Sequence, residues 1–180
     1  MSFNAALSKI SEDEFQFLMK NGIRSSVLND FDFKSLIYNS FGFIKDTLPE
    51  LIDKGDFERL IFEFFKDRKI NLFICDIDRI NYNEILYFLF WAKDELVMIS
   101  KLEQEYLSAE PDIDLIAAGI NEMNQFGDLN TIDSLANGDI LKWEEIKKLP
   151  YNKVFDKQYK SVVEARIQKK LVKIKSKPKK

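Results

Sequence analysis

The residues best placed for chemistry are Asp76 and Asp78, which follow an apolar run in the segment NLFICDIDRI, residues 71–80. A carboxylate at the end of a buried strand could act as a nucleophile, with further carboxylates binding magnesium. If Asp76 ended a strand of a parallel sheet, βαβ units after it could bring further functional side chains to the same edge. Downstream of Asp78, however, the sequence is patterned for helices almost to its end. The chain therefore has a candidate nucleophile without the fold that would serve it.

The same segment resembles the nucleophile strand of haloacid-dehalogenase-type phosphatases. In that family's motif a Thr or Val occupies the position that Arg79 has here. The alternative is that LFICDI, residues 72–77, forms a short strand or a buried turn, with Asp76 and Asp78 as solvent-facing caps. Because the expected βαβ units are missing, we favour this structural interpretation.

Other catalytic classes find little support in the sequence. Histidine is absent, which removes the commonest general base and metal ligand and every Ser-His or Cys-His nucleophile. The single cysteine, Cys75, cannot form an internal disulfide and is expected to be a small buried side chain. Glu103 and Glu105 are two residues apart, so their side chains diverge on a helix. We therefore expect a protein that is not an enzyme and binds no metal or cofactor.

The composition predicts a densely packed domain. Apolar residues make up 46% of the chain and charged residues 32%, with 16 Phe but only 6 Gly and 4 Pro. A length of 180 residues suits one hydrophobic core. The longest apolar run, residues 85–92, is far shorter than the roughly 20 residues that cross a bilayer, and the first residues lack a signal-peptide pattern. We expect a soluble protein that makes no membrane contact.

Helix start and stop signals recur along the chain and predict an all-α fold, a single compact helical domain with a long central helix. A capping box at Ser11 and Glu14 begins the first helix, and Gly22, Gly42 and Gly55 mark stops. The predicted helices cover 12–21, 31–40, 47–54, 57–68, 82–108, 113–126, 130–138, 139–149 and the region from 151 onward, with at most one short strand near 71–76. The predicted core includes Phe64, Phe88, Leu89, Trp91 and Leu96.

Charge and apolar pattern divide the chain into a helical body over 1–150 and a C-terminal helical arm over 151–180. Pro150 prevents a straight helical continuation between them. The arm carries 11 Lys and Arg against 2 Asp and Glu, a balance of +9, so the body carries −12 to give the stated −3. The apolar residues of the arm form a narrow seam on an otherwise charged helix: Tyr151, Phe155, Tyr159, Val162, Ile167 and Leu171.

Such a seam needs a neighbour to bury it, so we predict that the arm projects from the body and lies against another chain. The predicted contact residues are Tyr151, Phe155, Tyr159, Val162, Lys169, Lys170, Lys173 and Lys175. The four lysines would meet carboxylates or phosphates of the partner. The alternative is that the lysine-rich end is a frayed, solvated terminus.

Residues 112–155, DIDLIAAGINEMNQFGDLNTIDSLANGDILKWEEIKKLPYNKVF, resemble segments of small helical proteins encoded by tailed bacteriophages of the crAss-like and related Bacteroides-infecting kind. The preceding LFWAKDELVMISKLEQEYL, residues 89–107, looks like part of the same block. The resemblance covers about residues 85–155 and consists of helix caps and core positions, with no catalytic signature. It implies a virion or virion-assembly role.

Three functions fit these features. The first is a structural head-to-tail connector, a multi-copy ring at the portal or tail junction whose partners are the portal, neighbouring ring or tail proteins and copies of itself. Such a protein would assemble in the host cytoplasm and remain in the virion. The second is a soluble assembly chaperone, which the acidic body favours. The third is a DNA-binding accessory protein that uses the basic tail without sequence preference.

Overall fold

The computed structural model describes residues 34–70, 80, 82–108 and 113–176. In these ranges every regular element is a helix and no strand forms, so the predicted all-α class is confirmed. The helix predicted over 12–21 and the candidate nucleophile segment at 71–79 lie outside the described residues.

Seven α-helices form the framework of the described ranges. In chain order they are α1 (Leu48–Lys54), α2 (Phe57–Asp67), α3 (Tyr82–Leu102), α4 (Ile113–Ala117), α5 (Leu129–Ala136), α6 (Trp143–Lys147) and α7 (Tyr151–Lys175). Two π-helical turns, Phe43–Thr47 and Glu103–Leu107, precede α1 and extend α3. Single 3₁₀ segments cover Leu36–Tyr38, Ile120–Phe126 and Ile140–Lys142. The helix predicted over 82–108 is therefore present, with its last turn widened.

Several predicted helix ends coincide with observed caps. Gly55 takes the left-handed conformation with φ +70°, and its amide bonds back to carbonyls of α1. The carboxylate of Asp56 accepts a hydrogen bond from the Arg59 amide at 3.3 Å and begins α2. The carboxylate of Asp139 likewise accepts a hydrogen bond from the Leu141 amide at 3.1 Å and begins the segment Ile140–Lys142. These signals involve only neighbouring residues, which is why the sequence shows them.

Gly42 does not end a helix, contrary to the prediction. It lies inside a helical segment that runs from 41 to 54, with φ −65°. A Cβ atom at this position would approach the Lys147 Cβ to 3.0 Å and the Lys147 carbonyl oxygen to 3.3 Å. The glycine therefore allows this segment to pack closely against α6. Of the helix predicted over 31–40, the described part contains one 3₁₀ turn, Leu36–Tyr38.

The single helix predicted over 113–126 is broken at Gly119. This residue has φ +88°, a left-handed conformation that glycine tolerates and other residues rarely adopt. The chain accordingly forms the short helix α4 and then the 3₁₀ segment Ile120–Phe126. Neither piece contains a buried residue.

The core centres on Phe64 of α2. Four aromatic rings surround it with centroid distances of 5.0 to 6.0 Å: Phe43, Phe65, Phe88 and Trp91. The Arg68 guanidinium lies 4.4 Å from the centre of the Phe64 ring, on the outer side of this cluster. Of the predicted core residues, Phe64, Phe88 and Leu89 are buried, whereas Trp91 and Leu96 are half-buried and pack against the core.

Asn39 is a fully buried polar residue at the meeting point of three chain segments. Its Nδ2 donates to Asp67 Oδ2 at 2.9 Å, and its Oδ1 accepts from Arg68 Nε at 2.9 Å. The backbone carbonyl oxygen of Asn39 accepts from the Tyr151 backbone amide at 2.8 Å. Beside it, the Phe41 amide donates to the Leu149 carbonyl at 2.8 Å. These bonds join the end of α2 and the start of α7 to the segment before α1.

We predict that Asn39→Leu lowers the free energy of unfolding by roughly 2 to 4 kcal/mol, because Asp67 and Arg68 each lose a hydrogen bond in a partly buried site. Urea denaturation measures the change. The matched control is Asn152→Leu, since the Asn152 Oδ1 is buried without a hydrogen-bond partner among the described residues. Equal losses in the two variants would show that the Asn39 network contributes nothing specific.

Candidate interaction surfaces

The first turn of α7 belongs to the core. Tyr151 and Val154 are each 1% exposed, and Phe155 is half-buried against the same cluster. The Tyr151 ring stacks on Phe41 with centroids 6.2 Å apart. This differs from the predicted boundary at 150 and from the predicted partner contact by Tyr151. Its side chain packs within its own chain and leaves no surface for a partner.

The next two turns of α7 are partly covered by the same chain. The ring of Tyr159 meets Tyr106 edge-on with centroids 5.4 Å apart, and Phe155 approaches Tyr106 at 6.3 Å. Gln158 donates to the hydroxyl oxygen of Thr131 at 3.0 Å. Tyr159 is nevertheless 38% exposed, and Val162 is half-buried. These positions keep part of their surface for another chain.

A polar junction fixes the start of α7 from a second side. The Tyr151 hydroxyl donates to Glu103 Oε1 at 2.6 Å, and Lys45 Nζ lies 2.7 Å from the same oxygen. Lys45 and Glu103 each belong to one of the two π-helical turns. Burial raises the pKa of Tyr151 far above its ordinary value, and the bond to Glu103 acts in the same direction. The phenol therefore stays protonated and remains a hydrogen-bond donor to Glu103.

Asp128 completes this junction at its outer edge. Its carboxylate lies 3.7 Å from Lys45 Nζ. Partial burial raises the pKa of Asp128, the attraction of Lys45 opposes that shift, and the carboxylates of Glu103 and Asp46 reinforce it. Although several acids gather around Lys45, no group of acidic, histidine or cysteine side chains in the described part of the chain could hold a metal ion.

The distal half of α7 is exposed throughout. Every residue from 164 to 176 is on the surface, including the predicted contact residues Lys169, Lys170, Lys173 and Lys175. The large apolar side chains in this stretch are 42% to 67% exposed: Ile167, Leu171, Val172 and Ile174. The four lysines are thus accessible to a partner, whereas the aromatic residues of the first turns are buried or only partly exposed.

The apolar residues of α7 form two stripes, not the single seam predicted. Val162 and Ile167 are five residues apart, which turns the helix by about 500° and places them about 140° from each other. The first stripe, ending at Val162, faces the body. The second contains the half-buried Val163 and the exposed Ile167, Leu171 and Ile174, spaced by four, four and three residues. We call these four residues the distal stripe.

A second exposed apolar region follows α3. It contains six large side chains that are 43% to 81% exposed: Ile113, Leu115, Ile116, Ile120, Met123 and Phe126. We call it the 113–126 surface. Clustered exposed apolar residues of this kind mark interaction sites more often than isolated ones do. The sequence pattern predicts an ordinary helix over this stretch and gives no sign of an exposed surface.

A concave basic surface lies beside the end of α2 and the residue that precedes α7. This basic cleft has a volume of about 780 Å³, and its lining includes five cationic side chains, Lys34, Lys66, Arg68, Lys69 and Lys148, together with Tyr38. Arg68 is engaged by Asn39, and Lys66 pairs with Glu63 at 2.9 Å. Asp67, the acidic residue of the lining, accepts hydrogen bonds from Asn39 and Ser40. The cleft is therefore suited to an anion.

None of the helices in the described ranges combines the length and the apolar content that a membrane span requires.

We predict that Asp128→Asn is at least as stable as the wild type at pH 7. The pKa of Asp128 is higher in the folded protein than the ordinary value of about 3.9, so its contribution to stability is present below that pH and lost as pH rises through the folded pKa. Asparagine imitates the protonated form at every pH. Thermal melts from pH 3 to pH 7 should show a difference in Tm between Asp128→Asn and the wild type that disappears at the acidic end.

The control for this pH series is Asp53→Asn on the exposed side of α1, which makes the same chemical change at a surface position. A loss of stability in Asp128→Asn that grows toward pH 7 would show that the attraction between Asp128 and Lys45 outweighs the burial of the carboxylate.

Comparison of the chain with protein-family models, with curated proteins and with solved structures finds no match. What the protein binds must therefore be inferred from its own surfaces.

Proposed function

We propose that the protein is a non-enzymatic structural protein that assembles with other protein chains through the distal half of α7. The observation that carries this proposal is the contrast within one helix. Its first turn is buried and bonded to Asn39 and Glu103, whereas its last three turns expose both lysines and apolar side chains. A helix held firmly at one end and exposed at the other is suited to engage a neighbour.

The resemblance of residues 112–155 to tailed-phage proteins supports a virion context for this assembly. In that context the protein would be a multi-copy head-to-tail connector or ring component at the portal or tail junction, assembled in the host cytoplasm. Its partners would be the portal, adjacent ring or tail proteins and further copies of itself. A contact between unlike surfaces of identical subunits generates rings when the rotation closes.

We predict that deletion of 156–180 leaves the body folded and abolishes assembly. The truncated chain keeps Tyr151, Val154 and Phe155, so the core contacts of the first turn persist. Thermal unfolding should show little change in Tm, while sedimentation velocity and partner capture should show no complex. The control is deletion of 177–180, which removes three lysines and leaves α7 whole.

Unfolding of the longer truncation would mean that the distal half is part of the intramolecular core. Normal assembly of that truncation would remove the main physical support for a connector.

The assembly chaperone differs from the connector in whether it remains in the mature particle. A chaperone would use the exposed 113–126 surface to shield a partner and would leave when assembly is complete. Quantitative mass spectrometry of purified mature particles separates the two functions: a connector is retained at a fixed copy number, whereas a chaperone is absent.

The basic cleft favours a second candidate function, non-specific contact with duplex DNA. No carboxylate among the described residues lies within ion-pair distance of Lys34, Lys69 or Lys148, and Tyr38 is 55% exposed beside them.

We predict duplex binding that falls steeply with salt and weakens at least tenfold when these three lysines are changed to Glu. The control reverses Lys153, Lys157 and Lys160, exposed on α7. Absence of gel retardation at low salt would exclude this function.

A further inference from the structure

Charge is segregated along the chain in two blocks of opposite sign. Residues 102–141 contain nine Asp and Glu and no Lys or Arg, whereas residues 151–180 carry a balance of +9. The 113–126 surface lies inside the acidic block, and the distal stripe lies inside the basic one. The 113–126 surface and the distal stripe therefore sit in surroundings of opposite charge.

The lysines of α7 are not equally placed around the distal stripe. Taking about 100° per residue, Lys170 and Lys175 lie about 60° and 80° to either side of Ile167. Lys169 and Lys173 lie at least about 120° from it, on the side of the helix that continues toward the body. A partner seated on the distal stripe would therefore meet Lys170 and Lys175 at its two edges.

The two regions do not cover each other within one chain. Ile113 is 81% exposed in the 113–126 surface, and Ile174 is 67% exposed in the distal stripe. The body-facing side of α7 is instead held near the end of α3, where Arg166 donates to the Ser108 carbonyl at 3.2 Å. Each copy thus presents both halves of a complementary pair.

We propose that the distal stripe of one copy docks on the 113–126 surface of a second copy. Val163, Ile167, Leu171 and Ile174 pack against the exposed apolar side chains there, and Lys170 and Lys175 face carboxylates of the acidic block, Glu122 among them. Because every copy then uses two different surfaces, the contact is head-to-tail and produces a ring or a filament. The inference rests on the proposed function and names the partner of α7.

The experiment compares full-length variants by sedimentation velocity at low and moderate salt. The arm variant carries Lys170→Glu and Lys175→Glu, and its matched control carries Lys169→Glu and Lys173→Glu, with the same change of charge on the other side of α7. We expect self-association to weaken at least tenfold in the arm variant and much less in the control. Equal effects in both would show that α7 acts only through its total charge and would overturn the docking geometry.

The surface variant carries Ile116→Glu and Met123→Glu, both at positions exposed in the isolated chain, so its helical content by circular dichroism should match the wild type. Alone it should fail to assemble. Mixed with the arm variant, it should form a 1:1 dimer that grows no further, because only one intact contact exists in that pair. If both variants fail alone and the mixture stays monomeric, the two surfaces do not bind each other.

The outcome also separates this inference from the proposed function. If the wild-type chain is monomeric at every concentration, yet deletion of 156–180 prevents its incorporation into particles, α7 binds a different protein and the self-docking is wrong. If that deletion leaves incorporation unchanged, the proposed function fails as well.

Discussion

The fold depends on the hydrogen bonds that surround the buried side chain of Asn39. A side-chain amide in a core is costly unless it is hydrogen-bonded, and here its Nδ2 donates to Asp67 and its Oδ1 accepts from Arg68. The backbone carbonyl of the same residue accepts from the Tyr151 amide. Because these partners come from residues far apart in the chain, their bonds can form together only when α2 and α7 take their correct positions. A satisfied polar group in an apolar surrounding thus selects one arrangement of helices that apolar packing alone would leave less defined.

The position of α7 follows from two attachments at its first residue. The backbone of Tyr151 bonds to Asn39, and its hydroxyl, about one side-chain length away, bonds to Glu103 at the end of α3. Lys45 neutralises that carboxylate at 2.7 Å, so the junction contains a compensated charge. Both π-helical turns supply a residue to this junction.

The sequence was informative wherever a signal and its consequence lie within a few residues. The caps at Gly55, Asp56 and Asp139 and the aromatic face around Phe64 are of this kind. The stop predicted at Gly42 is wrong because a glycine is needed there for the close approach of Lys147, 105 residues further along the chain. The bonds of Asn39 likewise involve distant residues, which no local pattern indicates. The single seam predicted on α7 contains a step of five residues, which departs from helical spacing, and the exposed 113–126 surface depends on the break at Gly119.

The continuity of α7 gives the molecule a mechanical property. A helix of 25 residues is about 37 Å long, and a tilt of about 5° at its fixed end moves its last turn by about 3 Å. It therefore acts as a lever whose pivot is the Tyr151 junction. In a head-to-tail assembly, the angle between successive subunits would be set at this pivot and amplified along the helix. Packing inside one subunit, remote from any neighbour, would then decide how many subunits close a ring.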